Sequence, residues 1–225
     1  MPKYAELYGQ RSSISIVRMD QSQGSSQEST GSATPFASSS LPLSTLCSNL
    51  GELFRSADYS DITVEVGLET FQAHKAILCA RVPYFKRLFD SGMRESATGR
   101  IKIEDVEADR FENVLKFIYS GQLPTDLDER SESYLPIADK YGIEDLKLAS
   151  IESLRKNISQ DNVVGRMILA DLHQCADLKR RCFAYLRAHK SRVAPSDFEE
   201  LILHPRLMLE FIKKFWVIVS HHNFG

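Results

Sequence analysis

The 225-residue chain is poor in the features that usually announce a covalent or metal-bound framework. It has four cysteines, Cys47, Cys79, Cys175 and Cys182. None stands in a C-x-x-C pair, and the closest two are seven apart, a helical core spacing rather than a zinc-ligand spacing. The start, MPKYAELYGQR, lacks an apolar signal core, so a reduced compartment, nucleus or cytoplasm, is expected. Charge of one sign is also missing. With 28 Lys and Arg against 30 Asp and Glu the net charge is −2, which leaves no basic field to hold nucleic acid. The basic run KRRC (179–182) is expected to be the wet face of an amphipathic helix. Long apolar runs are absent too. Phe215 to Val219 is the longest near the end, far short of the ~20 residues of a spanning helix, so no membrane partner is expected. The six histidines fall into no motif with a serine or cysteine nucleophile, and no glycine loop cradles a phosphate. The expectation is a non-enzyme with no catalytic residue, no cofactor and no metal site, His74 being a satisfied structural histidine.

What is present is an ordinary globular share of hydrophobic residues, 43%, enough for a buried core at this length. Residues 21–40, QSQGSSQESTGSATPFASSS, are mostly Ser, Gln, Gly and Thr. They cannot bury enough surface to offset their ordering entropy. Ile14, Ile16 and Met19 hint at a short strand upstream, but residues 1–41 as a whole read as a disordered segment and linker.

Order begins with LPLSTLCSNLGELF, where Leu43, Leu46, Leu50, Leu53 and Phe54 recur at three- and four-residue steps along one helical face. DITVEV (61–66) alternates as a strand, Gly67 turns the chain, and ETFQA answers as a hairpin partner. The pattern turns helical at His74, and Pro83 suits the first turn of another helix. RIKI (100–103) is a short strand, and FENVLKFIYSG a helix capped by Gly121. After a loop, LPTDLDER, only helices follow, with Ser159 and Asp161 as candidate N-caps of one of them. The fold class is α+β, a small sheet clasped by helices and followed by an all-helical tail.

The blocks YSDITVEV, FQAHKAILCARVPYFKRLF, IYSG and ADKYGIEDLK, in this order and spacing, resemble the BTB (POZ) domain. The likeness is greatest to the speckle-type POZ group, in which a substrate-binding MATH domain precedes the BTB domain. The resemblance implies a BTB domain over 42–158, then 3-box and partial BACK helices over 159–225. Nothing upstream resembles a MATH domain.

The family resemblance implies a homodimer through the first helix, with Leu46, Leu50 and Leu53 as its seam. The other reading of these leucines is a cover for their own sheet; the seam is preferred, because the helix precedes the domain core and needs a surface to bury its face. Asp61 and Lys75 match charged positions near the dimer groove, where a partly buried pair is expected. Adaptors of this group dock cullin-3 through an apolar-x-Glu signature, which Met93-Arg94-Glu95 reproduces, with Tyr119 beside the cullin groove. A methionine fills an irregular apolar slot, and a carboxylate accepts directed hydrogen bonds. The helices over 160–190 resemble those that extend the cullin contact, though Ile168, Leu169, Leu172 and Leu178 are expected to pack on each other. Ile212 stands where the group has an aromatic, with Phe211 one place away, which leaves higher assembly open.

Two functions compete at this point. One is a dimeric cullin-3 adaptor of a ubiquitin ligase, acting without a MATH domain as a regulator that pairs with MATH-bearing relatives. The other is a BTB self-association module in transcriptional regulation that binds no cullin.

Overall fold

The computed structural model describes residues 41–91, 98–189 and 195–222, the side chains of 41–42, 195–197 and 215–222 excepted. Of the segment expected to be disordered and a linker, 1–41, residues 1–40 lie outside them and Leu41 is the first residue of a helix. Helix α1 (Leu41–Ser56) leads into a three-stranded sheet built from β1 (Ile62–Val66), β2 (Glu69–Ala73) and β3 (Arg100–Ile103). The order is β2-β1-β3, with β1 antiparallel to β2 and parallel to β3. The hairpin between β1 and β2 turns on Gly67 and Leu68 alone, and Gly67 takes φ +61°. That left-handed first position suits the twist of a two-residue hairpin and is strained for any residue with a Cβ.

Alternation places Ile62, Val64 and Val66 on one face of β1, all buried, and Ile101 and Ile103 beside them on β3. Against this face pack α2 (Lys75–Arg81), α3 (Pro83–Asp90), α4 (Ala108–Ser120) and α5 (Leu127–Tyr141). At the centre sit Tyr84, Phe85, Phe111 and Tyr141; Tyr84 meets Tyr141 edge-on at 4.9 Å and Phe85 stacks on it at 5.7 Å. Pro83 opens α3, where its missing N–H costs no ladder bond. Gly121 ends α4 with φ +71°, its N–H donating to the carbonyl of Phe117.

The tail comprises α6 (Glu144–Lys156), α7 (Val163–Leu172), α8 (Ala176–Ala188), a 3-10 segment (Pro195–Leu203) and α9 (Pro205–His222). It has its own core, in which Leu154, Met167, Leu178, Cys182, Leu186, Leu201 and Leu207 meet Leu135 of α5. Helix α5 therefore serves both cores. Cys175 and Cys182 are both buried, Cys175 as the residue before α8 rather than within a helix, and burial pushes the Cys182 thiol up to about 12, so it behaves as a small hydrophobe. Polar stitches reinforce the seam between the cores. Asp139 of α5 accepts from Lys147 Nζ at 2.5 Å and pairs with His173 Nδ1 at 2.8 Å, while Arg166 reaches Glu132 at 2.9 Å.

Three expectations are corrected. Helix α5 begins at Leu127, inside the stretch read as a loop, because Leu127 is buried and draws that turn onto the core; the non-helical φ of −125° at Arg130 marks the resulting kink. Helix α7 begins at Val163 with Asn162 at its N-cap, not Ser159 or Asp161. The Asn162 carboxamide bonds backwards instead, accepting from the Ser159 N–H and donating to the Asn157 carbonyl. Of the tail residues expected to pack mutually, Ile168 and Leu178 are buried and Leu169 packs against the same core, but Leu172 is 59% exposed.

Candidate functional site

Helix α1 packs on α4 through one end of its apolar face. Gly51 lies close to α4, where a Cβ would meet that of Ser120 at 3.7 Å, and the Phe54 ring centroid stands 5.0 Å from that of Tyr119. Gly51 and Phe54 thus fix α1 to α4. At about 100° per residue, Leu46 and Leu53 fall roughly a quarter-turn or more round the helix from them. Leu43 is 64% and Leu46 53% exposed, while Leu50 and Leu53 are half-buried. The upper half of the stripe, Leu43 and Leu46, is therefore bare among the described residues, while the lower half is partly covered. Each further leucine fully buried on that stripe is worth about 1.5–3 kcal/mol.

Beneath α1 lies a hydrogen-bonded lock that the sequence disclosed only in part. His74 is buried and uses both ring nitrogens, with Nε2 2.7 Å from the Asp58 carbonyl and Nδ1 2.8 Å from the Tyr119 hydroxyl. A carbonyl only accepts, so Nε2 carries the proton, and Nδ1 accepts from Tyr119. The same hydroxyl oxygen accepts the backbone N–H of His74 at 2.7 Å. Asp58 sits between two non-glycine residues in left-handed conformation, Ala57 (φ 58°) and Tyr59 (φ 60°), a loop that needs such pinning. His74 is thus the structural histidine the sequence suggested.

Tyr119 requires a correction. It is 2% exposed, its hydroxyl is engaged by His74, and burial pushes its pKa up to about 12. It offers no surface to a partner; its position follows from the stripe Phe111, Leu115 and Tyr119 at four-residue steps, all buried. That periodicity was the available signal for burial.

Asp61 and Lys75 are brought together in a different form from the expected charge pair. The Asp61 carboxylate accepts the backbone N–H of Lys75 at 2.7 Å, satisfying a free donor at the start of α2. The Lys75 ammonium lies instead over the Phe89 ring, 4.6 Å from its centroid. Asp61 is exposed and Lys75 half-buried, so the contact is a helix cap at the surface.

Met93 and Glu95 lie outside the described residues. The segment that carries them runs from the end of α3, where Lys86 pairs with Asp90 at 2.7 Å, to Thr98, just before β3. In the tail, Phe211 turns inward onto Phe198 at 5.0 Å, and Ile212 is 43% exposed. No helix of the described residues is long and apolar enough to cross a membrane.

Residues 50–158 match the family model of the BTB/POZ domain. Among solved structures the chain is similar to the BTB domain of zebrafish PATZ1, with 21% sequence identity and a TM-score of 0.46, over 55% of this chain and 100% of that one.

Proposed function

We propose, from the premise that residues 50–158 are a BTB/POZ domain, a protein–protein interaction module that self-associates, that this chain is a dimeric adaptor docking cullin-3. It belongs in this reading to the speckle-type POZ group and pairs with MATH-bearing relatives as their regulator. The observation that carries the reading is the bare leucine stripe of α1, anchored below by Phe54 and open above at Leu43 and Leu46. A stripe used by its own domain would be covered; one that is half-covered supports an isologous contact with a second copy. Support for the cullin contact comes from the chemistry of Met93 and Glu95 and their place directly after α3. Tyr119 has no part in it.

Two measurements test the reading. Sedimentation should give a dimer for the wild type and a monomer for Leu46→Asp, with unchanged circular dichroism because Leu46 is 53% exposed. A pull-down with the purified cullin-3 N-terminal region should retain wild type and lose Met93→Ala with Glu95→Ala. Equal capture of both proteins would refute the docking residues. A wild-type dimer that captures no cullin would leave the self-association module of transcriptional regulation as the function.

A further inference from the structure

Strand β2 is the outer strand of the sheet, with β1 on one side and no strand among the described residues on the other. Its register with β1 closes on Val66 and Glu69 across the two-residue loop. Such a loop closes on a hydrogen-bonded pair, and bonded pairs alternate with unbonded ones, so Thr70 and Gln72 direct their N–H and C=O groups away from β1. Both residues are exposed. An edge of this kind is a template for an added strand.

Two clefts run along that edge and share Phe71 and Glu112. The larger, about 540 Å³ at the hairpin end, is lined by Glu69, Phe71, Ala108, Asp109 and Glu112. Three carboxylates thus surround a half-buried phenyl ring, and no basic residue lines the cleft. Asp109 shares its charge with Arg110 and Glu112 with Lys116, while no ion pair of Glu69 is found among the described residues. The smaller, about 290 Å³, continues between Phe54 and Arg55 of α1 and Lys116 of α4, with Thr70 and Gln72 in its wall.

We propose that the free edge of β2 is a second docking surface, which takes an extended peptide of a partner protein carrying a lysine or arginine two residues from small apolar ones, so that all of them share one face of the added strand. The peptide backbone pairs with Thr70 and Gln72 as a fourth strand. One apolar side chain sits on Phe71, and a basic side chain two residues away reaches Glu69 and Asp109, because Glu69 and Phe71 share one face of β2 and one cleft with Asp109. Leu43, Leu46, Leu50 and Leu53 line neither cleft, and the proposal does not depend on cullin binding.

The test uses the full chain, labelled with 15N, and the acetylated, amidated heptapeptide Thr-Lys-Thr-Val-Thr-Val-Thr, whose lysine and valines share one face of the strand. Shifts and slowed exchange are expected at the Thr70 and Gln72 amides. Thr70→Pro should weaken binding at least tenfold while keeping the β1–β2 ladder, since the lost N–H faces outward. Glu69→Lys with Asp109→Lys should weaken it by a similar factor. Should Thr70→Pro misfold, N-methylation of the central peptide amides supplies the same cut from the ligand side, with the same tenfold loss expected. The proposal is overturned if Thr70 and Gln72 do not shift, if the N-methylated peptide binds as well as the parent, or if Thr-Glu-Thr-Val-Thr-Val-Thr binds equally. It is also overturned if both amides are already protected in peptide-free protein at high concentration, which would assign the edge to a second copy.

Discussion

Replacing Tyr119 by phenylalanine removes one oxygen from a site where that atom makes two hydrogen bonds. The His74 backbone N–H, 2.7 Å away, loses its acceptor, and His74 Nδ1, 2.8 Å away, loses its donor. Tautomer exchange cannot repair the loss, because Nε2 must keep its proton for the Asp58 carbonyl. With Tyr119 2% and His74 8% exposed, solvent does not replace the missing partner. A buried group left unpaired costs about 1–3 kcal/mol. Two such groups, less the desolvation a phenyl ring avoids, place the expected loss at about 2–4 kcal/mol. The ring stays, so the packing on Phe54 at 5.0 Å is kept and no cavity term enters. Urea unfolding at fixed protein concentration should show a lower midpoint at unchanged slope. Dimerisation should weaken with it, since the Asp58 loop that joins α1 to β1 hangs on the same histidine. Tyr134→Phe is the control: its hydroxyl bonds Asp126 at 2.7 Å and Asn113 at 3.0 Å, but both partners keep some access to water, and about 1 kcal/mol is expected. A Tyr119→Phe variant as stable as wild type, yet impaired in binding a partner, would refute the reasoning and return Tyr119 to the surface role read from the sequence.

Burial pushes Tyr119, Tyr134 and Tyr141 up to about 12. The unfolded chain releases these protons first, near pH ~10, so their contribution is whole below that pH and is lost as pH rises towards 12, by up to roughly 2 kcal/mol each. Tyrosinate absorbance should therefore show three of the eight tyrosines titrating late and together with unfolding; native titration of all eight near 10 would contradict this. Burial alone pushes Asp139 up, but hydrogen bonds from Lys147 and His173 outweigh it and hold the carboxyl below its usual range. Its contribution is present above the ordinary carboxylate pKa and lost as pH falls through the lowered value. Asp139→Asn should cost about 1 kcal/mol at neutral pH after allowance for solvent and flatten the acid limb of a stability–pH curve. Gly121→Ala should destabilise by about 1 kcal/mol through its positive φ alone, since the added Cβ meets nothing within 4 Å. Gly51→Ala, in helical conformation with ordinary contact to Ser120, should stabilise by about 0.5–1 kcal/mol. Thermal unfolding of the pair checks the opposite signs.

Much of the fold was legible because its signals are local. Alternation in DITVEV, the glycine at the hairpin turn, Pro83 at a helix start and Gly121 at a helix end all act within a few residues of themselves, and each element stands where they put it. The start of α5 was misread because Asp, Arg and Glu look like loop, whereas the burial of Leu127 is a long-range fact. The same limit applied to the site. Asp61 and Lys75 are fourteen residues apart, and their joint position was inferred from likeness; that the carboxylate would meet the amide rather than the ammonium depended on where α2 begins in space.

The sequence by itself determined the order of strands and helices and the apolar stripe of α1, since periodicity and turn chemistry are properties of neighbouring residues. The tertiary structure alone decided which end of that stripe meets α4 and which stays bare, that Tyr119 closes a lock on His74 and Asp58, and that β2 is left with an unpaired edge. Each of these depends on contacts between residues far apart in the chain, and local periodicity marks a residue as buried without naming the partner it meets.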